Sequence, residues 1–306
     1  MCAVRRVTGS TVVYCVAYIP VPKGAVLKPE DHTRLSAVTD MEKDNQPAST
    51  IERAARAERL RDYFDLQLRF AEAVATTAAL PLSATVSQCT NFYRRFGLGR
   101  LQGAPISPEW KKYTEQLMTL ETHEQRVAWT QAFFVQSPPE SLPQGQRQFD
   151  CFSCDPPDKD GRVRIHFTNR DNDGIGPLSR AKIDKRRQEL KVMFTYVQKT
   201  YADAKEVLGG SWLYHLDAYR RLFPPVYGDS REVQAGSSHF QGTSSWGQFL
   251  DHREGIKPVL REQFLENLRK LDMNRLWEVF PLPACRAHAP MQAFYDFYDI
   301  DTAITS

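Results

Sequence analysis

The fold of this chain is indicated most clearly by the stretch RVRIHFTNRDNDGIGPLSR, which runs from residue 162 to residue 180. Its first residues alternate between polar and apolar side chains and predict a strand. A polar turn containing Gly174 and Gly176 follows and leads into a segment whose apolar residues recur at helical spacing up to Tyr201. Lys205 to Leu213 again has the composition of a strand. The order strand, turn, helix, strand predicts a crossover connection and therefore a parallel pair of strands.

A second strand is predicted just before this stretch. Residues Gln148 to Cys154 are rich in strand-forming side chains, and a loop with two prolines and a glycine separates them from Arg162. Such a pair is typical of an antiparallel hairpin. Upstream, helical periodicity begins near residue 50, and Glu109 to Phe134 is predicted as one helical stretch. The class expected is α+β, with an N-terminal helical half packed on a mixed sheet that has a crossover helix.

The same patterns divide the chain into three predicted parts. Residues 1–49 are expected to be a leader, disordered or not native to the mature protein, because a short apolar run and two prolines precede a polar, loop-like segment from Met41. Residues 50–146 are predicted to be a helical subdomain and residues 147–306 an α/β subdomain. Within the latter, His239 to Leu250 is expected to form a further strand pair or an irregular lid.

The composition excludes several classes of protein. Hydrophobic residues make up 42% and charged residues 25% of the 306 residues, which is ordinary for a globular chain with a sizeable core. A net charge of +3, with basic and acidic residues interleaved, predicts no nucleic-acid partner. No apolar run approaches the roughly 20 residues that span a bilayer, so no membrane partner is expected. The oligomeric state cannot be derived from these features.

The cysteines predict the compartment and argue against a metal centre. Six cysteines in a chain of this length are too few for a disulfide framework, which favours a reducing cytoplasm. The one close pair, Cys151 and Cys154, lacks a second pair to complete a zinc site. Two buried structural thiols and no bound metal are therefore expected.

Two segments have the side chains of a binding site. The turn from Asn169 to Ser179 leads into a helix, where backbone amides bind anions and glycine permits close approach. The alternative is a tight polar turn that binds nothing. The segment GGSWLYHLDAYRRLFPP, residues 209–225, combines aromatic, hydroxyl, imidazole and guanidinium groups, as the wall of a pocket does. Its alternative is an apolar core segment whose polar side chains face water.

Residues 147 to 250 resemble the C-terminal part of GNAT-like acyltransferase domains. The resemblance rests on the order of four short runs: Arg164-Ile-His-Phe167, Gly176-Pro-Leu-Ser179, Gly210-Ser-Trp-Leu213 and His239-Phe-Gln241. In that family the turn before the long helix holds the pyrophosphate of coenzyme A through backbone amides, in an Arg/Gln-x-x-Gly-x-Gly/Ala pattern. Two glycines match this pattern, but Asp171 replaces its first residue. Gly210 stands where relatives often have a histidine.

The resemblance implies transfer of an acyl group from a coenzyme A or pantetheine thioester to a small-molecule amine or hydroxyl. The donor would be held by Gly174, Gly176, Ser179 and Arg180. His215 is the candidate base, and Tyr214 or Tyr219 the candidate acid. The expected acceptor site consists of Ser211, Trp212, Arg220, Arg221, Phe240 and Trp246. One alternative is a non-catalytic small-molecule-binding or interaction protein on a degenerate acyltransferase fold. Another is an enzyme that clamps a phosphate or carboxylate between Arg220 and Arg221 without coenzyme A.

Overall fold

The computed structural model describes residues 50–99, 101, 105–140, 145–171, 173–236 and 238–301, so the predicted leader lies outside the described residues. The helices are α1 (Thr50–Arg59), α2 (Arg61–Ala78), α3 (Leu82–Cys89), α4 (Phe92–Arg95), α5 (Pro108–Met118), α6 (His123–Gln136), α7 (Ile183–Thr200), α8 (Asp217–Arg220), α9 (Pro225–Asp229), α10 (Thr243–Trp246), α11 (Pro258–Leu268) and α12 (Met291–Phe297). The strands are β1 (Arg147–Phe149), β2 (Phe152–Cys154), β3 (Arg162–Phe167), β4 (Glu206–Ser211), β5 (Glu232–Val233) and β6 (Cys285–Pro290).

The strands form one mixed sheet in the order β1-β2-β3-β4-β6-β5, so the fold is α+β. The pairs β1–β2, β2–β3, β4–β6 and β5–β6 are antiparallel. The pair β3–β4 is parallel, and α7 forms the crossover between its strands. The parallel pair predicted from the sequence is therefore confirmed.

The strand predicted from Gln148 to Cys154 is wrong in one respect, because it is two strands. Asp150 has a φ of 48°, a left-handed conformation that reverses the chain between β1 and β2. The side-chain amide of Gln148 donates to the carbonyl oxygens of Asp150 and Phe152 and holds this turn closed. The predicted hairpin with β3 is confirmed for β2 alone, through the pairs Phe152–Phe167 and Cys154–Ile165.

The sequence analysis did not predict β6, which lies between β4 and β5 in the sheet. Its first five residues, CRAHA, alternate between small apolar and polar side chains, and burial alternates along all six positions of the strand. Cys285, Ala287 and Ala289 face the core that α7 and α12 cover. Strands made of such small side chains have a weak β-propensity, which explains why the composition did not reveal this one.

A second core lies among the helices and includes residues from two distant parts of the chain. Phe70 on α2 packs edge-on against Phe240, Trp246, Phe264 and Phe280, with ring centroids 5.4–5.8 Å apart. The prediction of a strand pair or lid from His239 to Leu250 is wrong, because this segment forms α10 between two 3-10 turns, Ser238–Gln241 and Gly247–Phe249. Its aromatic side chains are drawn into the helical core by the apolar area that they bury.

Helix boundaries in the N-terminal part are set by caps. The single helix predicted from Glu109 to Phe134 is wrong, because the chain is interrupted between α5 and α6. The Thr122 hydroxyl accepts a hydrogen bond from the amide of Gln125, and the side-chain oxygen of Gln125 accepts one from the amide of Thr122, which is a capping box. No helix in the described ranges is long and apolar enough to cross a membrane.

Candidate functional site

The candidate site lies where the parallel strands β3 and β4 separate. Their pairing runs from Arg162–Glu206 to Arg164–Leu208. Beyond those residues β3 remains paired with β2, and β4 with β6. Ligands in α/β sheets bind outside the carboxyl ends of parallel strands, where neighbouring strands diverge. Both predicted segments begin at this edge, because the glycine-bearing turn follows β3 and the segment rich in aromatic residues continues from β4.

Aromatic rings connect the two strands on the side of the core. The ring of Phe167, the last residue of β3, lies 5.8 Å from that of Tyr219, which lies 5.3 Å from that of Tyr214. The Tyr214 hydroxyl bonds to the hydroxyl of Tyr227 at 2.6 Å and lies directly against Gly209 of β4. A Cβ atom at Gly209 would be only 1.7 Å from the Tyr214 hydroxyl oxygen. Glycine is therefore required at this position by packing, not by backbone conformation.

The glycine-bearing turn has one left-handed residue and one open position. Gly174 has a φ of 72°, whereas a Cβ atom on Gly176 would contact nothing within 4 Å. The amide of Ser179 donates to the carbonyl of Gly176 at 3.0 Å, and the Ser179 hydroxyl is enclosed without a hydrogen-bond partner in the described structure. Arg180 is exposed at the start of the 3-10 turn that leads into α7. The turn thus has open space at Gly176, shortly before the 3-10 turn that leads into α7.

The carboxylate of Asp171 is already neutralised by the helix that follows the turn. Lys182 and Lys185 lie 2.6 and 2.7 Å from its oxygens, and Arg186 also donates to it. Burial favours the neutral acid, but these ion pairs outweigh that effect and hold the pKa of Asp171 below its usual range. Arg186 is buried and also bonds Glu189 and the carbonyl of Pro177. The turn is therefore fastened to α7 through Asp171.

The two predicted segments are in direct contact through Arg221. Its Nη2 donates to the carbonyl oxygen of Leu178, at 2.9 Å. Arg220 instead donates to the carbonyl of Tyr214 at 2.9 Å and pairs with Asp217. These bonds direct the two guanidinium groups to different parts of the chain, which does not favour the alternative in which both arginines clamp one anion.

The candidate base is partly exposed, whereas the two candidate acids are buried in the core. The Nε2 atom of His215 lies 2.7 Å from the carbonyl oxygen of Pro283, which can only accept, so Nε2 carries a proton and Nδ1 is the basic nitrogen of the neutral ring. Cys285 Sγ is 3.3 Å from the same Nε2. Tyr214 and Tyr219 are buried, and burial raises the pKa of both well above the usual value for tyrosine. They remain protonated at neutral pH, but they are enclosed in the core.

The predicted acceptor-site residues are divided between the strand end and the helical core. Ser211 accepts a hydrogen bond from the amide of Leu213 and so caps the 3-10 turn that follows β4. The Trp212 side chain is partly exposed beside that strand end. Phe240 and Trp246 are fully buried in the helical core, and the Trp246 indole nitrogen donates to the carbonyl of Phe240 at 2.8 Å. The structure does not bring these two rings together with the polar groups of the strand end.

The loop from Asp251 to Lys257 contributes two residues that the sequence did not reveal. A Cβ atom on Gly174 would lie 3.7 Å from Nη2 of Arg253, so this guanidinium borders the glycine-bearing turn. The Lys257 ammonium lies over the ring of Trp212, 5.0 Å from its centroid. Asp251 holds the loop by accepting from the amides of Arg253 and Gly255, at 2.7 and 2.8 Å. No sequence motif connects this loop to a turn some eighty residues away.

The described cysteines are buried, and the described residues contain no cluster of metal-binding side chains. Cys151 and Cys154 are buried free thiols, as predicted, and burial raises the pKa of both. Within the described ranges, no group of three or more His, Cys, Asp or Glu side chains is arranged to hold a metal ion.

Searches for related proteins found no matching family model, no matching curated protein and no matching solved structure. The function is therefore inferred from the geometry of the site.

Proposed function

We propose that the protein transfers an acyl group from a coenzyme A or pantetheine thioester to a small-molecule amine or hydroxyl, at the carboxyl ends of β3 and β4. The observation that carries the proposal is the end of β3–β4 pairing at Arg164 and Leu208, directly beside a glycine-bearing turn that opens a long crossover helix. This is the arrangement expected from the resemblance to GNAT-like domains. It brings the carboxyl ends of both strands close to the turn that would hold the phosphates of the donor.

The turn fits an anionic group in two respects. Gly176 has open space where a side chain would stand, so a phosphate can approach the backbone closely. Arg253 and Arg180 supply guanidinium groups, which match phosphate oxygens in shape and charge. Asp171 does not oppose binding strongly, because its charge is compensated by Lys182 and its neighbours on α7. A pyrophosphate bound near Gly176 would therefore have guanidinium donors on this side of the site.

The protein's part in the reaction is to position the acceptor and to move a proton. The donor supplies an activated acyl carbon, and the acceptor forms its new bond to that carbon as the bond to sulfur breaks. His215 is assigned the role of base through Nδ1, because its Nε2 is occupied by the carbonyl of Pro283. Tyr214 or Tyr219 is assigned the role of acid, since both retain their protons at neutral pH. Their burial means that the acid role requires access through the gap between the strands.

A non-catalytic binding protein on the same fold is the second candidate, and two observations favour it. Asp171 occupies the first position of the phosphate pattern and binds Lys182, Lys185 and Arg186 instead of a ligand. Gly210 has no side chain where GNAT-like domains with this pattern often have a histidine, and its carbonyl accepts a hydrogen bond from the Ser244 hydroxyl at 2.9 Å. This candidate predicts binding of the donor without turnover.

Calorimetric titration with coenzyme A and acetyl-coenzyme A tests donor binding. Micromolar binding is expected for the native protein, and Gly176→Trp should abolish it by filling the open space. Arg253→Ala should weaken binding about tenfold, as loss of one charge-assisted hydrogen bond does. Arg269→Ala, an exposed arginine on another surface, is the matched control and should leave binding unchanged. Absence of binding at millimolar ligand would contradict the acyltransferase proposal.

A turnover assay then separates the two candidates. Release of free thiol from acetyl-coenzyme A in the presence of a panel of amines and alcohols is expected for the transferase. His215→Ala should abolish that release while donor binding persists. Tight binding without thiol release for any acceptor would favour the non-catalytic protein.

A further inference from the structure

The side chain of Lys257 is held in a fixed position by the loop that precedes α11. The amide of Lys257 donates to the carbonyl of Phe249 at 2.8 Å, and Leu250 forms an isolated bridge with Ile256. Lys257 Nζ then donates to the carbonyl of Gln248 at 3.0 Å. These contacts hold both the backbone and the amine of Lys257, so the side chain has less conformational freedom than that of an ordinary surface lysine.

The fixed position is at the carboxyl end of β4. Trp212 is the first residue after that strand, and the Lys257 ammonium lies over its ring at 5.0 Å from the centroid. The edge of the same indole packs against Gly247, where a Cβ atom would be 3.0 Å from Nε1. Four residues earlier in the loop, Arg253 borders Gly174. One short loop therefore connects the glycine-bearing turn with an amine at the neighbouring strand end.

The environment of Lys257 differs from that of the other lysines near the site. Lys182 and Lys185 are ion-paired with Asp171 at 2.6 and 2.7 Å. Among the described residues, Lys257 forms no ion pair, and its ammonium instead contacts the carbonyl of Gln248 and the ring of Trp212. Burial lowers the pKa of Lys257, while the charge of Asp251 and the ring of Trp212 both favour the ammonium form. A partly enclosed amine without an ion-pair partner is the environment in which lysines act as nucleophiles.

We propose that Lys257 is a nucleophilic amine that accepts an acyl group from thioesters, so that the protein acylates itself at this residue. In this step the neutral Nζ forms a C–N bond to the acyl carbon, the C–S bond breaks, and the proton lost from nitrogen goes to the departing thiolate. The products are an amide at Lys257 and a free thiol. For coenzyme A thioesters the inference rests on the proposed donor site, whereas reaction with a small thioester does not.

The experiment uses the full chain at about pH 7.5, below the usual lysine pKa of about 10.4. The protein is incubated in parallel with acetyl-coenzyme A and with S-acetyl-N-acetylcysteamine, a thioester without phosphates, and acetylation is located by peptide mass spectrometry. Lys257 is expected to react several-fold faster than the exposed Lys199 and Lys270, because burial lowers its pKa and leaves more of its amine neutral. Gly176→Trp should slow labelling by acetyl-coenzyme A and leave labelling by the small thioester unchanged.

The outcomes separate the two proposals. Selective labelling of Lys257 by the small thioester, with no advantage for acetyl-coenzyme A, would support the reactive amine and contradict the donor site. Equal labelling of Lys257, Lys199 and Lys270 by both reagents would overturn the inference, whatever the calorimetry shows. Lys257→Arg keeps the positive charge and removes the nucleophile, and its circular dichroism verifies that it folds. Loss of the selective label in that variant, with background labelling retained, is the expected result.

Discussion

The Arg221 guanidinium donates a hydrogen bond of 2.9 Å to the main-chain carbonyl of Leu178. This contact fixes the turn that opens the crossover helix against the segment that leaves β4. The residues are more than forty positions apart, so the contact exists only after the parallel pair has formed. Arg221 thus links the two segments of the candidate site directly.

Replacing Arg221 should loosen the cleft. Arg221→Ala removes a charged hydrogen bond to a partly buried carbonyl, which is expected to lower the free energy of unfolding by about 2 kcal/mol. Urea denaturation measures this loss. Arg180→Ala, an exposed arginine beside the same turn, is the control and should stay within about 0.5 kcal/mol of the native protein. Equal stability of the two variants would show that the Leu178 contact is not formed in solution.

Gly209→Ala should be strongly destabilising. The added Cβ would lie 1.7 Å from the hydroxyl oxygen of Tyr214 and 2.2 Å from that of Tyr227. Both hydroxyls are fully buried and bonded to each other, so neither can move aside cheaply. A loss of about 3 kcal/mol is expected, the upper range for overpacking, and a clear drop in Tm should accompany it. Gly176→Ala has open space and should show little change; similar losses in both variants would contradict this packing.

Asp171→Asn should destabilise the turn through the cations that it leaves behind. Arg186 and Lys182 are buried beside this carboxylate, and removing one partner of a buried ion pair costs about 3–5 kcal/mol. The asparagine amide can still form hydrogen bonds at this position. A smaller loss of about 2–3 kcal/mol in the free energy of unfolding is therefore expected in urea denaturation. Asp173→Asn alters an exposed carboxylate that also pairs with Lys182 and should cost clearly less than Asp171→Asn, because solvent screens this pair. The reverse order of the two losses would refute the network.

His123 should make the stability of the helical part depend on pH. Its ring nitrogens lie 2.7 Å from Asp65 Oδ1 and 2.8 Å from Glu72 Oε2, and these bonds raise the pKa of His123 to about 9 although burial opposes them. A raised folded-state pKa gives stability that is complete below the unfolded value of about 6.5 and is lost as pH rises through about 9.

The expected decrease in unfolding free energy over that window is roughly 2–3 kcal/mol, because solvent screening at the partly exposed ring reduces the effect of the raised pKa. NMR titration of the His123 imidazole measures its pKa in the folded protein. Urea denaturation at several pH values across the window measures the change in the free energy of unfolding. In His123→Gln, which cannot titrate, the pH dependence over the window should flatten. An imidazole that titrates near 6.5 would be incompatible with the two carboxylate contacts.

Phe70→Ala tests whether the C-terminal aromatic segment belongs to the helical core. The Phe70 ring touches four aromatic rings from residues 240–280, and its removal leaves a cavity that those rings cannot close. A loss of about 3–5 kcal/mol is expected in chemical denaturation. Loss of protection in hydrogen exchange should extend to residues 240–280. Confinement of that loss to α1–α6 would show that the segment packs independently.

Local patterns in the sequence were sufficient for the strand–turn–helix–strand unit. Alternation in β3, the glycines of the turn and the apolar stripe of α7 are short-range signals, and the crossover rule converts them into a parallel pair. The antiparallel neighbour β2 was also predictable, because a proline-rich loop separates it from β3. The β1–β2 turn was not, since it depends on a left-handed conformation at Asp150, a residue that is common in ordinary loops.

The contacts that make the candidate site were decided by tertiary structure. Arg253 reaches Gly174, and Lys257 reaches Trp212, from a loop whose sequence has no binding motif. Trp246 and Phe240 are aromatic residues of the kind that line pockets, but they are buried in the helical core. Burial of an aromatic side chain is favourable in either place, so the residue type alone does not distinguish a pocket from a core. The sequence determined which elements form, through periodicity over a few residues. Only the packing of distant segments determined which charged and aromatic groups face one another, because apolar burial has no direction and long-range proximity leaves no local pattern.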